Sequence, residues 1–291
     1  MAEELIGIIG GTGFGDVLQQ KLSDVEFHQM DTPFGNPSTE VMVGSLGQRR
    51  IAFLNRHGKG HALMPSEVPY AANILALKKL GVRTLLASGA VGSLREKIAP
   101  GDLVIVDQFI DKTLRRRGTF FDGHAAVHCE MAHPTCERIG KLFVDASQGI
   151  DATTHAAGTY VCMEGPQFST RAESQMHRSW GGDLIGMTAL PEAKLAREAQ
   201  MCYSLIALAT DYDCWKEPEG GRDKQALLKE IIGNLKMATS NCLQLFEALL
   251  SGKADLLSAG CPCRSSLELA VWTDQDMMDR QRKAELEVLF E

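Results

Sequence analysis

The stretch LIGIIGGTGFG, residues 5–15, indicates the fold class, because an apolar run passes directly into a glycine-rich loop. The run predicts a buried strand, and the glycines leave backbone N–H groups open toward a small anion. The hydroxyl of Thr12 adds a further donor. Gly11, Gly13 and Gly15 are too closely spaced for the dinucleotide fingerprint G-x-G-x-x-G, and the loop lacks the phosphate motif G-x-x-x-x-G-K-[ST]. The stretch therefore predicts an anion site at a strand end.

Strand and helix patterns alternate along the rest of the chain. Strands are predicted for VMVGSL, RRIAFL, RTLLASGAVGS, DLVIVDQFI, TYVCMEGP and CYSLIALA. Helices are predicted for EVPYAANILALKKLG, for the segment that the capping box Thr170-x-x-Glu173 opens, for PEAKLAREAQM, and for DKQALLKEIIGNLKMATSNCLQLFEALL, the last as one long helix or a broken pair. Without repeats or linkers, this order predicts an α/β fold, a three-layer αβα sandwich with a mixed central sheet, in one domain over residues 1–285.

Composition and charge exclude several classes of protein. The chain has 291 residues, of which 44% are apolar, which is enough for one large α/β domain. Its net charge of -7 argues against a nucleic-acid surface, and the one basic cluster, Arg115 to Arg117, predicts a solvated turn or an intersubunit contact. We expect no signal peptide, no membrane span and a cytoplasmic location. The final residues 286–291, LEVLFE, resemble a protease-site remnant of a cloning vector and are set aside from the fold.

Eight cysteines are scattered along the chain, several of them inside apolar segments where a free thiol acts as a small core residue. Reduced thiols are the expectation in the cytosol. The pair Cys261-Pro262-Cys263 is compatible with a redox pair or with half of a metal site. No second close pair of Cys or His completes a four-ligand zinc pattern, so no metal is expected.

Two carboxylates follow the apolar strand LIALA in TDYDCW, residues 210–215. Asp211 and Asp213 are either turn formers in a solvated loop or acids that face a ligand from a strand end. The loop NRHGKGH, after another strand, contains Arg56 and His57, whose donors suit phosphate, although a basic surface loop is the alternative. SGAVGSLR allows close approach of a backbone amide, and EGPQFSTRAES contains Phe168, which either stacks on a planar ring or fills the core.

The order and the sequences of these loops resemble those of the trimeric purine nucleoside phosphorylase family, in the branch that acts on S-methyl-5′-thioadenosine. The resemblance covers about residues 5–250, through LIGIIGGTGF, RHG with H-x-x-x-PS, GSLRE-x-I-x-PGD-x-V-x-x-DQFID, EGPQFS-x-RAES, MT-x-x-PEA-x-LA-x-EA and ATDYDCWKE. It implies a pentosyltransferase of purine and methionine salvage that converts the nucleoside and phosphate into adenine and 5-methylthioribose 1-phosphate. It also implies a homotrimer that needs no cofactor, with phosphate as co-substrate.

The resemblance assigns roles to individual residues. The implied phosphate ligands are Thr12, Arg56, His57, Gly89, Ala90 and Thr188. The implied purine and ribose contacts are Phe168, Ser169, Met187, Asp211 and Asp213. The implied 5′-group contacts are Leu227, Leu228 and His128, the last contributed by a neighbouring subunit or else a surface-loop residue. The chain departs from the family pattern at Gly89, where Thr is frequent, and at Lys224, where an apolar residue is usual.

The chemistry of such a reaction gives the two acids different tasks. Cleavage of the glycosidic bond leaves positive charge on the ribose and negative charge on the purine. A buried, protonated Asp211 can donate to purine N7, while an ionised Asp213 accepts from a 6-amino group.

The alternative substrates are adenosine, inosine, guanosine and methylthioinosine. A nicotinamide-dependent dehydrogenase, a nucleoside hydrolase and a nucleoside-binding module without turnover are the alternative classes. The C-x-C pair also resembles cysteine-rich archaeal relatives that use disulfides.

Overall fold

The computed structural model describes residues 5–11, 14–216, 224–252 and 254–291. Strands and helices alternate through this part of the chain as the sequence predicts. Their bounds are β1 Ile6–Gly10, α1 Phe14–Gln19, β2 Ser23–His28, β3 Val41–Leu46, β4 Arg49–Asn55, α2 Tyr70–Lys79, β5 Thr84–Ser93, β6 Leu103–Val106, β7 Gln108–Lys112, α3 Glu137–Ser147, β8 Thr154–His155, β9 Thr159–Met163, α4 Arg171–Ser179, β10 Leu184–Gly186, α5 Glu192–Glu198, β11 Cys202–Tyr212, α6 Lys224–Ser251 and α7 Arg280–Glu285.

All of these strands belong to one mixed, 11-stranded sheet. Its main path runs β2-β3-β4-β1-β5-β10-β9-β7, and β11 joins β5 to β6, which in turn pairs with β8. Strands β4, β1, β5 and β11 are parallel neighbours, whereas β2 with β3, β3 with β4, β5 with β10 and β6 with β11 are antiparallel. Because parallel strands end at the same edge, the loops after β1, β4 and β11 lie close together. The predicted mixed sheet is confirmed.

Helices cover both faces of the sheet. Alternate side chains of β1 enter two separate clusters of buried apolar residues: Ile9 packs with residues of α2 and α5, and Ile8 packs with residues of α1, α3 and α6. Each fully buried Leu or Ile contributes about 1.5–3 kcal/mol relative to its exposed state, so both clusters stabilise the fold. This arrangement confirms the three-layer αβα sandwich.

Local signals in the sequence predict some of the element ends, whereas β2, α3, β8 and β10 have no counterpart among the predicted elements. Thr170 and Glu173 form the capping box of α4, and Gly81 follows α2 with φ of +92°. Helix α6 is continuous, which decides between the two predictions for this segment. DLVIVDQFI forms two strands instead of one, because Asp107 turns the chain: its carboxylate accepts from the N–H of Gly158, and β6 and β7 pair with different partners.

The carboxyl-terminal residues pack onto the core. Leu286 and Leu289 are fully buried, and the side chain of Gln200 donates to the carbonyl of Leu289 at 2.8 Å. A 3-10 turn at Glu287–Phe290 places the apolar side of residues 286–291 against the rest of the protein. The domain boundary at residue 285 stays a prediction. Their origin in a cloning vector stays a prediction.

Within the described ranges, no helix combines the length and the apolar character needed to cross a bilayer.

Candidate active site

Arg56 follows β4 directly, and its backbone N–H donates to the carbonyl of Gly10 at 3.1 Å, which joins it to the glycine loop after β1. Its side chain is 1% exposed. Two nitrogens donate to the carboxylate of Glu192 at 2.7 and 2.8 Å, and a third donates to the carbonyl of Ser88 at 2.8 Å. Burial alone lowers the pKa of Arg56, but the charge of Glu192 outweighs it and raises the value. The guanidinium is therefore permanently charged and fixed in direction.

Glu192 is a site residue that the sequence analysis did not name. It lies in the first turn of α5, and the hydroxyl of Tyr203 donates to its Oε1 at 3.0 Å. Its signal in the sequence is its position: Leu195 and Ala196, three and four residues later, form the apolar stripe of this helix, and an acid on that stripe is buried. A buried acid needs a cationic partner, and Arg56 is that partner.

His57 is neutral at pH 7. Burial, followed by the charges of Arg56 and His61, lowers its pKa to about 4, although the carbonyl of Leu63 opposes the shift. Its Nδ1 lies 2.9 Å from the oxygen of Leu63, and a carbonyl only accepts, so Nδ1 carries the proton and Nε2 is an acceptor. The expectation that this ring donates to phosphate stays a prediction. With Nδ1 bonded to Leu63, the neutral ring offers Nε2 as an acceptor.

The second half of β5 faces the loop after β10. A Cβ at Gly89 would lie 3.6 Å from Oγ1 of Thr188, so these two positions are neighbours. The N–H of Thr188 donates to the hydroxyl of Tyr160 at 3.3 Å, which orients the loop. Gly89 is buried and Ala90 is exposed. The structure thus brings together Arg56, Gly89, Ala90 and Thr188, while Thr12 lies outside the described residues.

The two acids stand where β11 is irregular. Ala209 pairs with Val91 and Asp211 pairs with Gly92, so Thr210 forms a β-bulge. Such bulges re-aim the side chains that follow. The hydroxyl of Thr210 donates to the carboxylate of Asp211 at 2.7 Å. Asp211 therefore lies in an extended strand and not in a turn. Asp213 does begin a turn, because its carbonyl accepts from the N–H of Lys216 at 3.2 Å, but it is buried and not solvated.

Asp211 and Asp213 differ in their surroundings. Burial, with the charge of Asp213 as a further cause, raises the pKa of Asp211 against the opposing hydroxyl of Thr210. Asp213 is 8% exposed and its N–H donates to the carbonyl of Ser93 at 3.0 Å. Its Oδ2 is buried, and no described residue donates a hydrogen bond to it. A buried carboxylate oxygen is costly without a donor, so this atom fits a ligand N–H.

The loop after β9 lies beside Met187. Gly165 has φ of +70°, and a Cβ there would come within 2.6 Å of the Met187 sulfur, so only glycine fits. Phe168 is 85% exposed, and the alternative of a core aromatic is therefore wrong. Ser169 donates through its hydroxyl to the sulfur of Met163 at 3.7 Å, and its carbonyl accepts from the thiol of Cys214. The bond from Cys214 ties this loop to the residue after Asp213, and the loop leaves the ring of Phe168 exposed.

Arg116 has a structural role that the sequence analysis missed. The predicted solvated turn describes Arg115 and Arg117, but the Arg116 side chain is 1% exposed. It donates to the carbonyls of Met187 and Leu190 at 2.6 Å and to that of Glu164 at 2.7 Å. It thereby fixes both loops that flank the site. Nothing in the spacing of three consecutive arginines distinguishes the middle one.

The residues expected at the 5′ group are less enclosed. Leu227 is half-buried and Leu228 is 59% exposed, as the fourth and fifth residues of α6. His128 is exposed and packs edge-on against Trp272 at 5.1 Å, and its N–H donates to the carbonyl of Ala270. These contacts hold His128 on the carboxyl-terminal segment, and its described contacts do not include the acids or Arg56.

Comparison with known proteins identifies relatives over the whole chain. The Phosphorylase superfamily matches residues 5–251. The S-methyl-5′-thioadenosine phosphorylase of Geobacter sulfurreducens is 45% identical over 292 residues, which cover 99% of this chain and 98% of that protein. A crystal structure of a methylthioadenosine phosphorylase from an antarctic soil metagenomic library has a TM-score of 0.91 at 41% identity, with 99% of this chain and 100% of that chain covered. A variant of the Schistosoma mansoni adenosine/methylthioadenosine phosphorylase in complex with methylthioadenosine has a TM-score of 0.76 at 38% identity, with 85% and 90% covered.

Proposed function

The chain belongs to the phosphorylase superfamily, and from this premise we propose that it catalyses the phosphorolysis of S-methyl-5′-thioadenosine. The products are adenine and 5-methylthioribose 1-phosphate. The relatives that share 41–45% identity over nearly the full chain carry the name of this activity, and a relative has been solved with this nucleoside bound.

The proposal depends on the arrangement of three side chains around the paired strands β5 and β11. Two acids in different surroundings lie at one end of this strand pair, and the fixed side chain of Arg56 contacts β5 further along. Asp211 lies opposite Gly92, and Arg56 donates to Ser88, four residues earlier on the same strand. Four residues of a strand span about 13 Å. That spacing leaves room for a ribose between a phosphate held by Arg56 and a purine held by the acids.

Phosphate binds between Arg56, the backbone at Gly89 and Ala90, and Thr188, with Thr12 as a further ligand from the glycine loop. The charge of the guanidinium holds the anion below C1′, where it stabilises the developing ribose cation and then attacks it. Because Nε2 of His57 is an acceptor, this ring binds a protonated oxygen of the phosphate. The C1′–O bond forms as the C1′–N9 bond breaks, and the electron pair leaves with the purine.

Asp211 stabilises the leaving group. Its raised pKa favours the carboxylic acid, which donates its proton to N7 as negative charge develops on the base. Asp213 accepts from the 6-amino group through its unpartnered Oδ2. An ionised carboxylate repels a 6-oxo group, so 6-aminopurines are preferred. Phe168, Ser169 and Met187 contact the purine and the ribose.

The active enzyme is a cytoplasmic homotrimer, by analogy with the family, and each site is completed across an interface. The exposure of Phe168, His128 and Leu228 supports this assignment, since all three are large side chains available to a partner. The apolar side chains of Leu227 and Leu228 then accept the methylthio group, together with His128 of the neighbouring subunit.

The test is the release of adenine from methylthioadenosine, measured with and without inorganic phosphate. We expect release only with phosphate, and methylthioadenosine to exceed methylthioinosine, adenosine and inosine in kcat/KM. Release that ignores phosphate would identify a hydrolase instead. Binding of methylthioadenosine without turnover would identify a binding module, and a Tm raised by NAD alone would support a dehydrogenase.

A further inference from the structure

Four of the eight cysteines meet in one buried cluster at the edge of the sheet remote from the acids. Cys136 immediately precedes α3, Cys202 begins β11, and Cys261 and Cys263 flank the start of a 3-10 turn at Pro262–Ser265. All four Sγ atoms lie within 4.8 Å of one another, and those of Cys136 and Cys261 are 3.6 Å apart. The sequence contains no second close pair of cysteines and so predicts no metal, but the fold brings two distant cysteines to the C-x-C pair.

We propose that these four thiolates form a structural site for one zinc ion. A tetrahedral zinc–thiolate centre has Zn–S bonds of about 2.3 Å, which place its sulfur atoms about 3.8 Å apart. The distance between any two of these sulfur atoms therefore has to shorten by no more than about 1 Å for all four to bind one ion. Four cysteine ligands leave no open position for water, so the site stabilises the fold and takes no part in the reaction.

The charge balance of the site involves Arg138. Binding of Zn²⁺ by four thiols releases four protons and leaves a centre with a net charge of -2. Nη2 of Arg138 donates to Sγ of Cys202 at 3.6 Å and to the carbonyl of Leu256 at 3.3 Å. Nη1 donates to the carbonyl of Asp255. A cation that donates to a ligand sulfur lowers the cost of burying the anionic centre and orients the ligand.

The site links three parts of the chain that are far apart in sequence. Cys136 positions the start of α3, Cys202 belongs to the central sheet, and the C-x-C pair belongs to the segment after α6. Hydrogen bonds from two strands also reach this segment: the guanidinium of Arg49 donates to the carbonyl of Ala254 at 2.8 Å, and the hydroxyl of Thr84 donates to that of Leu256 at 2.5 Å. The ion thereby ties the start of the carboxyl-terminal segment to α3 and to β11.

Two disulfides and four reduced thiols are the competing states of this cluster. A disulfide requires only that two sulfur atoms approach each other, whereas here each of the four is within reach of the other three. A metal ion with four ligands requires that all four sulfur atoms surround one point, as they do here. A reducing cytosol also disfavours disulfides and leaves thiolates available for zinc.

The test begins with the unmutated protein, purified under reducing conditions without chelators. Elemental analysis is expected to give one zinc per chain, and replacement by Co²⁺ is expected to give the intense sulfur-to-cobalt absorption of a tetrahedral four-thiolate site. Removal of the ion is expected to lower Tm by on the order of 5–10 °C. In Cys263→Ser the zinc content should fall below about one tenth of an ion per chain, while kcat stays within about two-fold.

The matched control is Cys242→Ser, which changes a buried cysteine outside the cluster and should keep the full zinc content. Alkylation of the unfolded, metal-free protein counts its thiols. Eight thiols without bound metal, or fewer than eight because disulfides are present, would overturn the proposal. The cobalt spectrum of the unmutated chain decides the matter if the serine variants fail to fold. Adenine release is measured separately, so loss of the zinc proposal leaves the proposed reaction untouched.

Discussion

The two ends of β11 have opposite chemistry. The strand begins at Cys202, within a closed cluster of four buried sulfur atoms, and reaches Asp211 and Tyr212 at its other end. Nine residues of strand separate Cys202 from Asp211 by about 30 Å. At the acid end, a β-bulge and the raised pKa of Asp211 are features of a site for a ligand that reacts. At the cysteine end, every sulfur atom has its neighbours within the protein.

This difference separates activity from stability along one strand. Substitutions at the acid end should change turnover with small effects on Tm, because the native fold there leaves polar atoms such as Oδ2 of Asp213 without partners. Substitutions at the cysteine end should change Tm with small effects on turnover. A variant that changes both quantities strongly, at either end, would contradict the separation.

The largest expected effect is that of Asp211→Asn. The amide keeps the shape of the side chain but cannot transfer a proton to the leaving purine, so kcat for methylthioadenosine should fall by about 10²–10⁴-fold. Tm should change little. The measurement is the single-turnover rate of adenine release, together with Tm from calorimetry. Cys263→Ser is the comparison variant, for which we expect the opposite result: a lower Tm and little change in turnover. Equal turnover of the Asn variant and the unmutated chain would refute the leaving-group role.

The fold was largely predictable because local signals and tertiary packing agree. The apolar run before the glycine loop is fully buried in β1, and the capping box at Thr170 is present in α4. The division of DLVIVDQFI was not predictable, since it depends on the N–H of Gly158, which is distant in sequence. The candidate site was predictable where its residues lie at or directly after the ends of strands, as Asp211 at the end of β11 and Arg56 after β4 do.

Other features of the site and of the sulfur cluster depend on contacts between distant segments. The sequence places Arg116 in a basic run, and only the fold shows that it holds the carbonyls of Met187 and Leu190. The protonation of His57 depends on its burial beside Arg56 and on the carbonyl of Leu63. The fourfold cysteine cluster likewise exists only after β11 and the carboxyl-terminal segment meet.

A second prediction concerns the anion end of the site and stability. Glu192→Ala leaves the fully buried guanidinium of Arg56 without its carboxylate, which should cost about 3–5 kcal/mol in the free energy of unfolding. Urea denaturation gives this value. The control is Glu96→Ala, whose pair with Lys216 is exposed and should contribute less than about 1 kcal/mol. Similar losses in the two variants would contradict the assignment of Glu192 as the fixed partner of Arg56.

A third prediction sharpens the contrast between the two acids. Asp213→Asn replaces an acceptor by a group that also donates, so it should favour a 6-oxo base over a 6-amino base. The ratio of kcat/KM for methylthioadenosine to that for methylthioinosine should fall by about 10- to 100-fold, which corresponds to one good hydrogen bond and its desolvation. An unchanged ratio, with both rates reduced equally, would show that Asp213 does not select the 6-substituent.

The smallest expected effect is the pH dependence of stability at His57. Its pKa falls from the ordinary value of 6.5 to about 4 in the folded state, chiefly through burial. Below pH 6.5 the unfolded chain therefore binds a proton that the native ring refuses, and stability decreases as pH falls from 6.5 to 4, by on the order of 1 kcal/mol per pH unit. Above pH 6.5 the ring is neutral in both the folded and the unfolded state, so this loss of stability is absent.

The test compares urea denaturation at pH 7 and pH 5 for the unmutated chain and for His57→Gln. The difference between the two pH values should be smaller in the variant, because glutamine binds no proton in either state. If His57→Gln retains the full difference of the unmutated chain, the neutral ring with its proton on Nδ1 is wrong. The phosphate would then meet an imidazolium at this position, and Nε2 would donate after all.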